Sequence, residues 1–391
     1  MHDDLRKELN DLRTASLYRE LAPVRLMTPT RGYVRGKEAV LFCTNNYLGL
    51  THHPEVIEAS IKATETFGTG SGSSRLISGH SELYEDLEAG LAKFKNTEKA
   101  LVFSSGYLAN LGAVTALAGR SDTIYSDRFA HASLVDACVL SRAAFKRFGH
   151  NDPQSLRGLV SSGKESGKRL IVTEGIFSMD GDIAPLGEYA DIASRHECLL
   201  IVDDAHGTGV IGRNGKGTAD HLDVSSAVDI HIGTLSKAIG SVGGFVAGSG
   251  GIIEYLVNKA RPFIFTTGLP PGAIAAAGSA IRVIERDSTL LKKLWANAEL
   301  ARSLLGTAGL DLFKSETPII PILIGDSERA LNISRKLLAE VNIYIPAIRP
   351  PAVPEGAARL RLTVCALHSQ AELEEAAFHI IRLCREDGII D

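Results

Sequence analysis

The chain has 391 residues, 45% of them hydrophobic and 23% charged, with a formal net charge of −4. This is ordinary globular composition, and the length suits a large core plus a smaller second domain. No basic stripe stands out, so nucleic acid is not expected as a partner. The cysteines at 43, 138, 198, 365 and 384 are odd in number, far apart and free of any C-x-x-C. That pattern argues against a disulfide framework or a zinc site and fits a reducing cytoplasm.

In chain order, Met1 to Leu12 is charged and lacks the apolar stretch of a signal peptide. The first 45 residues read as an arm: a helix, then an irregular strand region around Tyr33–Phe42. A helix is expected over Glu82–Phe94, where Leu83, Leu87, Leu91 and Phe94 share one face. Short apolar strands are expected at Leu101–Phe103, Thr123–Tyr125, Leu170–Val172, Leu199–Val202, Ile230–Ile232 and Phe245–Ala247. Their alternation with helical segments predicts a mostly parallel α/β sheet over residues 46–285. Pro262 to Ile281 is uncharged and long enough to span a membrane. Its prolines, glycines and Thr266–Thr267 make a loop followed by a helix the better expectation. Asp287–Leu305 reads as a long helix joining two domains. Ala330–Glu340 (helix), Arg359–Val364 (strand) and Gln370–Cys384 (helix) then predict a small α+β domain over 286–391.

Several segments carry groups suited to chemistry. Gly233-Thr234-Leu235-Ser236-Lys237 follows a strand, with a hydroxyl and an amine on one tight turn. The apolar, glycine-rich run after it suggests a buried loop, and a partly desolvated lysine suits Schiff-base chemistry. A solvated surface lysine is the plain alternative. Asp203 and Asp204 end the strand Ile201–Val202 and are followed by His206. These could bind a metal, form a surface pair, or supply an acidic partner for a pyridinium nitrogen. Ser104-Ser105-Gly106-Tyr107 lies between a strand and a helix starting near Leu108, where free amides suit a single phosphate. It lacks the glycine fingerprint of dinucleotide folds and the P-loop. Thr173–Asp182 follows another strand and is dense in polar groups. His131 could stack on a flat ring or be structural. Together these parts match pyridoxal phosphate better than a metal or a nicotinamide.

These motifs resemble the α-oxoamine synthases, fold-type I pyridoxal-phosphate enzymes that condense an amino acid with an acyl thioester and release carbon dioxide. The likeness runs from about Asn45 to Thr363 and rests on Asn45–Leu50, Phe67-Gly68 through Gly79-His80, and Thr173–Asp182. Val202–Gly212 and Ala347–Pro354 look like the biotin-pathway branch, which uses L-alanine and a pimeloyl thioester. Ala352 departs from that branch, where a threonine is expected.

The resemblance implies pyridoxal 5'-phosphate joined to Lys237, which also moves the α-proton. It implies Asp203 at the pyridine nitrogen, His206 at the ring oxygen and His131 stacked on the ring. Gly106, Tyr107 and Thr234 would serve the phosphate, and Ser178 would line the pocket. Asn45 and Arg361 would approach the amino-acid carboxylate. Arg19 and Ala352 fall where the family contacts the acyl substrate. Thr266 and Thr267 resemble a loop reaching the phosphate of a neighbouring subunit, which implies a homodimer with shared sites. The acyl carrier is coenzyme A or an acyl carrier protein. Two alternatives stay open: a sister activity using glycine and acetyl-CoA or serine and an acyl-CoA, and a silent partner subunit of the same fold.

Overall fold

The computed structural model describes residues 2–163 and 167–391. Met1, the first residue of the expected arm, lies outside the described residues. Contacts group the chain into two units. One comprises Met1–Tyr47, Met179–Asp182 and Lys292–Asp391; the other comprises Leu48–Ser178 and Ile183–Leu291.

The larger unit is built on a sheet of seven strands among the described residues. Their spatial order is Lys99–Phe103, Gly244–Gly248, Ile230–Thr234, Cys198–Asp203, Arg169–Glu174, Thr123–Asp127 and Ala144–Phe148. From Ile230–Thr234 to Ala144–Phe148 every pairing is parallel. Gly244–Gly248 alone runs antiparallel to both its neighbours.

The strands read as continuous apolar runs because both faces are covered. Leu170, Val172 and Ile201 enter one buried cluster with Val114 and Leu134. Ile171, Leu200 and Val202, the residues between them, enter a second with Phe148, Leu186 and Tyr189. Helices Gly106–Leu117 and Ala132–Ser141 contribute to the first cluster, and Leu186–Arg195 to the second. Ala144–Phe148 was not expected from sequence. It is an edge strand carrying Lys146 and Arg147, so it lacks the apolar run of its neighbours.

Within the smaller unit, Ile319–Gly325, Ala358–Thr363 and Ala347–Ile348 form an antiparallel sheet. Alternation along the middle strand places Leu360 and Leu362 in the core, while Arg359, Arg361 and Thr363 share the other face. Helices Ser327–Val341 and Gln370–Glu386 cover that core, the latter started by a Ser369–Glu372 capping box.

The expected arm is part of this unit. Strand Lys37–Leu41 pairs in parallel with Ile343–Tyr344, tying the chain start to the last hundred residues. Asp180 and Gly181 join it too, through an Arg359–Asp180 ion pair and a Thr317 hydroxyl donating to the Gly181 carbonyl. The long linking helix spans Thr289–Thr307, and the division between units falls inside it.

No helix among the described residues is long and apolar enough to cross a membrane. The uncharged stretch overlaps a short helix, Arg261–Ile264, and, after a loop, a long one, Pro271–Arg286.

Candidate active site

A parallel sheet gathers its strand ends along one edge, where ligands of open α/β folds bind. Glu174, Asp203 and Thr234 each close a strand there, and all three are buried. The turn after Thr234 carries Lys237, whose Nζ lies 2.6 Å from His206 Nε2. His206 is buried and Lys237 half-buried.

Asp203 is held from two sides. Asn110 Nδ2 donates to its Oδ2 at 2.6 Å, and the Ala205 N–H donates to its Oδ1 at 3.0 Å. Asn110 also donates to Ser133 Oγ at 2.8 Å, and Ser133 Oγ lies 2.8 Å from His131 Nδ1. The Ser133 backbone N–H donates to the same Nδ1 at 3.2 Å, so Nδ1 accepts and the imidazole proton sits on Nε2. One chain of hydrogen bonds thus links the acid at the strand end to the histidine capping helix Ala132–Ser141.

Behind Asp203, Asp204 forms a buried ion pair with Lys95 at 2.8 Å and accepts from Thr218 Oγ1 at 2.6 Å. Gly217, at φ +113°, lets the backbone pass here; a Cβ would meet Asp204 Oδ2 at 1.8 Å. Asp204 is therefore held within the fold, and of the two adjacent aspartates only Asp203 ends its strand beside His206 and Lys237.

Helix Gly106–Leu117 begins at the same edge. Its cap residue Ser105 accepts the Leu108 N–H, while the Gly106 and Tyr107 amides belong to a first turn with no intrahelical acceptor. Gly244 allows this approach, since a Cβ there would meet the Gly106 nitrogen at 2.5 Å. Thr234 stands beside Gly106, but its hydroxyl donates to the Gly243 carbonyl at 2.9 Å and accepts the Ser236 N–H. Serving a phosphate requires that hydroxyl to turn. Ser178 is half-buried, Thr266 half-buried and Thr267 exposed.

The remaining expected residues lie in the smaller unit. Arg361 Nη1 donates to Thr363 Oγ1 at 2.8 Å and to Asn45 Oδ1 at 3.3 Å, with the Tyr47 hydroxyl 3.4 Å from the same Oδ1. Arg19 is exposed and donates to the Pro350 carbonyl at 3.0 Å. It lines a cavity of about 980 Å³ with Arg335 and Arg349. Burial, with Arg19 and Arg335 nearby, pulls the Arg349 guanidinium below its usual value. Ala352 is exposed in the turn after Arg349.

The donor set fits pyridoxal phosphate: an amine, two free helix-terminal amides, a hydrogen-bonded carboxylate and a flat imidazole. Two buried oxygens in this region, Asn110 Oδ1 and Glu174 Oε1, have no partner among the described residues. Asn110, Ser133 and Glu174 were not singled out from sequence. The available signals were an asparagine inside the otherwise apolar helix Gly106–Leu117 and an acid closing an apolar strand, as Asp203 does.

This fold and these side chains define a fold-type I pyridoxal-phosphate enzyme. The aminotransferase class I and II family model matches residues 37–380. A Geobacter sulfurreducens protein named 8-amino-7-oxononanoate synthase is 47% identical over 385 residues, covering 98% of each chain. A serine palmitoyltransferase from S. paucimobilis superposes with a TM-score of 0.94 at 34% identity, covering 99% of this chain and 98% of that one. The 8-amino-7-oxononanoate synthase of Francisella tularensis gives 0.77 at 30% identity, covering 89% and 98%. The chain belongs to the aminotransferase class I and II family and, within it, to the 8-amino-7-oxononanoate synthases.

Proposed function

We propose that the protein condenses L-alanine with a pimeloyl thioester, releasing carbon dioxide and a free thiol and yielding 8-amino-7-oxononanoate for biotin synthesis. The observation that carries this is the Lys237–His206 contact of 2.6 Å beside Asp203 at the carboxyl edge of the sheet. The 47% identity to a protein of that name supports the substrate assignment. Bound pyridoxal phosphate supplies an electron sink for negative charge developing at the amino-acid α-carbon.

The chain's residues do the rest. Lys237 would hold the cofactor through Nζ and is the group placed to move a proton, its Nζ lying 2.6 Å from His206 Nε2. Asp203, fixed by Asn110 and the Ala205 amide, would partner the ring nitrogen. His131 presents its ring face, oriented by Ser133. The Gly106 and Tyr107 amides, with the Thr234 hydroxyl once turned from Gly243, would hold the phosphate, and Ser178 would line the pocket. Arg361, steadied by Thr363 and Asn45, offers a planar fork for the alanine carboxylate. Arg19 and Arg349 suit the anionic end of the acyl substrate, and Ala352 contributes no hydroxyl there.

A homodimer with shared sites, Thr266 and Thr267 reaching the partner's phosphate, accords with Ile77 and Phe265 being 81% and 70% exposed. A cytoplasmic location accords with five free cysteines.

The TM-score of 0.94 with a serine palmitoyltransferase favours serine condensation as the second reading. Thiol release from pimeloyl-CoA and from the pimeloyl carrier protein, each run with L-alanine, glycine and L-serine, separates the two. Release with alanine is expected. Release with serine alone overturns the substrate assignment.

A further inference from the structure

We propose that Glu174 is a positioning residue of this site: a carboxyl that works in its neutral form beside Asp203 and ties His131 to the carboxyl edge of the sheet. The inference rests on the cofactor reading above. Glu174 and Asp203 are the last residues of neighbouring parallel strands and stand in register. Register neighbours project from the same face of a sheet. Both are buried, at 3% and 6% exposure. Two buried carboxylates so placed do not ionise together, because each charge raises the cost of the other.

Hydrogen bonding distinguishes the two. Asp203 receives two N–H donors, one on each carboxyl oxygen. Glu174 receives the His131 backbone N–H, and its Oε1 has no partner among the described residues. Other charges facing Glu174 are Asp127 from the next strand, which opposes ionisation, and Lys237, which favours it. The balance holds its carboxyl well above the usual carboxylate range: burial first, then Asp203, outweigh Lys237 and the His131 amide. A neutral carboxyl keeps an acceptor for the His131 N–H and gains a hydroxyl donor for an acceptor oxygen of the bound amino acid or cofactor. His131 is thereby held twice, by Glu174 at its amide and by Ser133 at its ring.

The test uses the cofactor-loaded protein and the pH midpoint of its visible absorption change. Glu174→Gln keeps size, acceptor and neutrality, so the midpoint should move by less than about 0.3 pH unit and cofactor affinity by less than about twofold. An acidward shift of about one unit or more would mean that an anion had been removed from beside the Lys237 cation, and would overturn the neutral assignment. Glu174→Ala leaves the His131 N–H unpaired and should weaken cofactor binding about tenfold; unchanged binding overturns the positioning role. If that variant fails to fold, infrared spectra of the cofactor-free wild type and Glu174→Gln decide. A protonated-carboxyl band at neutral pH that the glutamine variant loses is expected, and its absence from the wild type overturns the proposal. Failure of wild type to gain visible absorption with pyridoxal phosphate would refute the cofactor reading alone.

Discussion

Lys237 Nζ and His206 Nε2 lie 2.6 Å apart, although 31 residues separate them in the chain. The contact exists because strands Cys198–Asp203 and Ile230–Thr234 are parallel neighbours, so the loops leaving them emerge side by side. An amine paired with an imidazole has a proton partner at hand, as a residue that moves protons requires.

Replacing Lys237 with Ala should lower turnover by at least about 10²–10⁴-fold, the usual range for losing a proton-transferring group. The same variant should release pyridoxal phosphate on dialysis, which absorbance spectra measure. Retained turnover would remove Lys237 from the mechanism.

Asn110 bridges two acceptors, Asp203 Oδ2 and Ser133 Oγ. Asn110→Leu strands both without that donor, at a cost of about 1–3 kcal/mol. Urea unfolding should show this loss, and cofactor titration should show weaker binding. A fully stable variant with wild-type affinity would mean the bridge does nothing.

The Lys95–Asp204 pair is almost wholly buried, each side chain 2% exposed. Lys95→Met leaves Asp204 an uncompensated buried charge and should cost about 3–5 kcal/mol. Adding Asp204→Asn should recover part of that loss, giving a non-additive double-mutant cycle. Strict additivity would contradict coupling between the two.

Two buried histidines set a pH dependence. Burial, with Lys95 close by, holds His231 down to about 4. Burial, against the pull of Glu372, does the same to His368. Their folded values lie below the ordinary 6.5, so the unfolded chain binds protons more readily in between. Their stabilising contribution is therefore complete above about pH 6.5 and is lost as pH falls toward about 4. Urea midpoints should drop across that window. His231→Gln should flatten the slope by about one proton for the larger unit, and an unchanged slope would exclude His231 as a contributor.

Burial also raises the Cys43, Cys138 and Cys384 thiols to about 12 and Cys365 to about 11. Little thiolate exists at neutral pH, so these four should resist alkylation in the folded protein and react after denaturation. Mass spectrometry of alkylated protein checks this, and rapid native labelling of any of them would place that thiol at the surface.

Most of the fold was legible because its signals are local. Apolar runs such as Leu170–Val172 and the one-sided helix Glu82–Phe94 announce themselves within a few residues. Lys237, Asp203, His206 and Gly106 were expected for a related reason: each closes such a strand or lies within a few residues of its end, where a parallel sheet gathers its ligand contacts. Other features depended on partners far along the chain. That the first 47 residues join the last hundred is decided by long-range contacts: the parallel pairing of Lys37–Leu41 with Ile343–Tyr344, the Arg31–Glu372 ion pair and the Arg361–Asn45 hydrogen bond among them. Asn110 looks like an exception in an apolar helix until the fold sets it between Ser133 and Asp203. Glu174 and Asp203 each end an ordinary strand, and only strand register makes them neighbours. Sequence by itself determined most of the elements and several of the chemical parts at their ends, because propensity and periodicity act over short range. Tertiary structure decided which of those parts share hydrogen bonds and which buried carboxyls stand side by side, because burial and hydrogen bonding depend on distance in space.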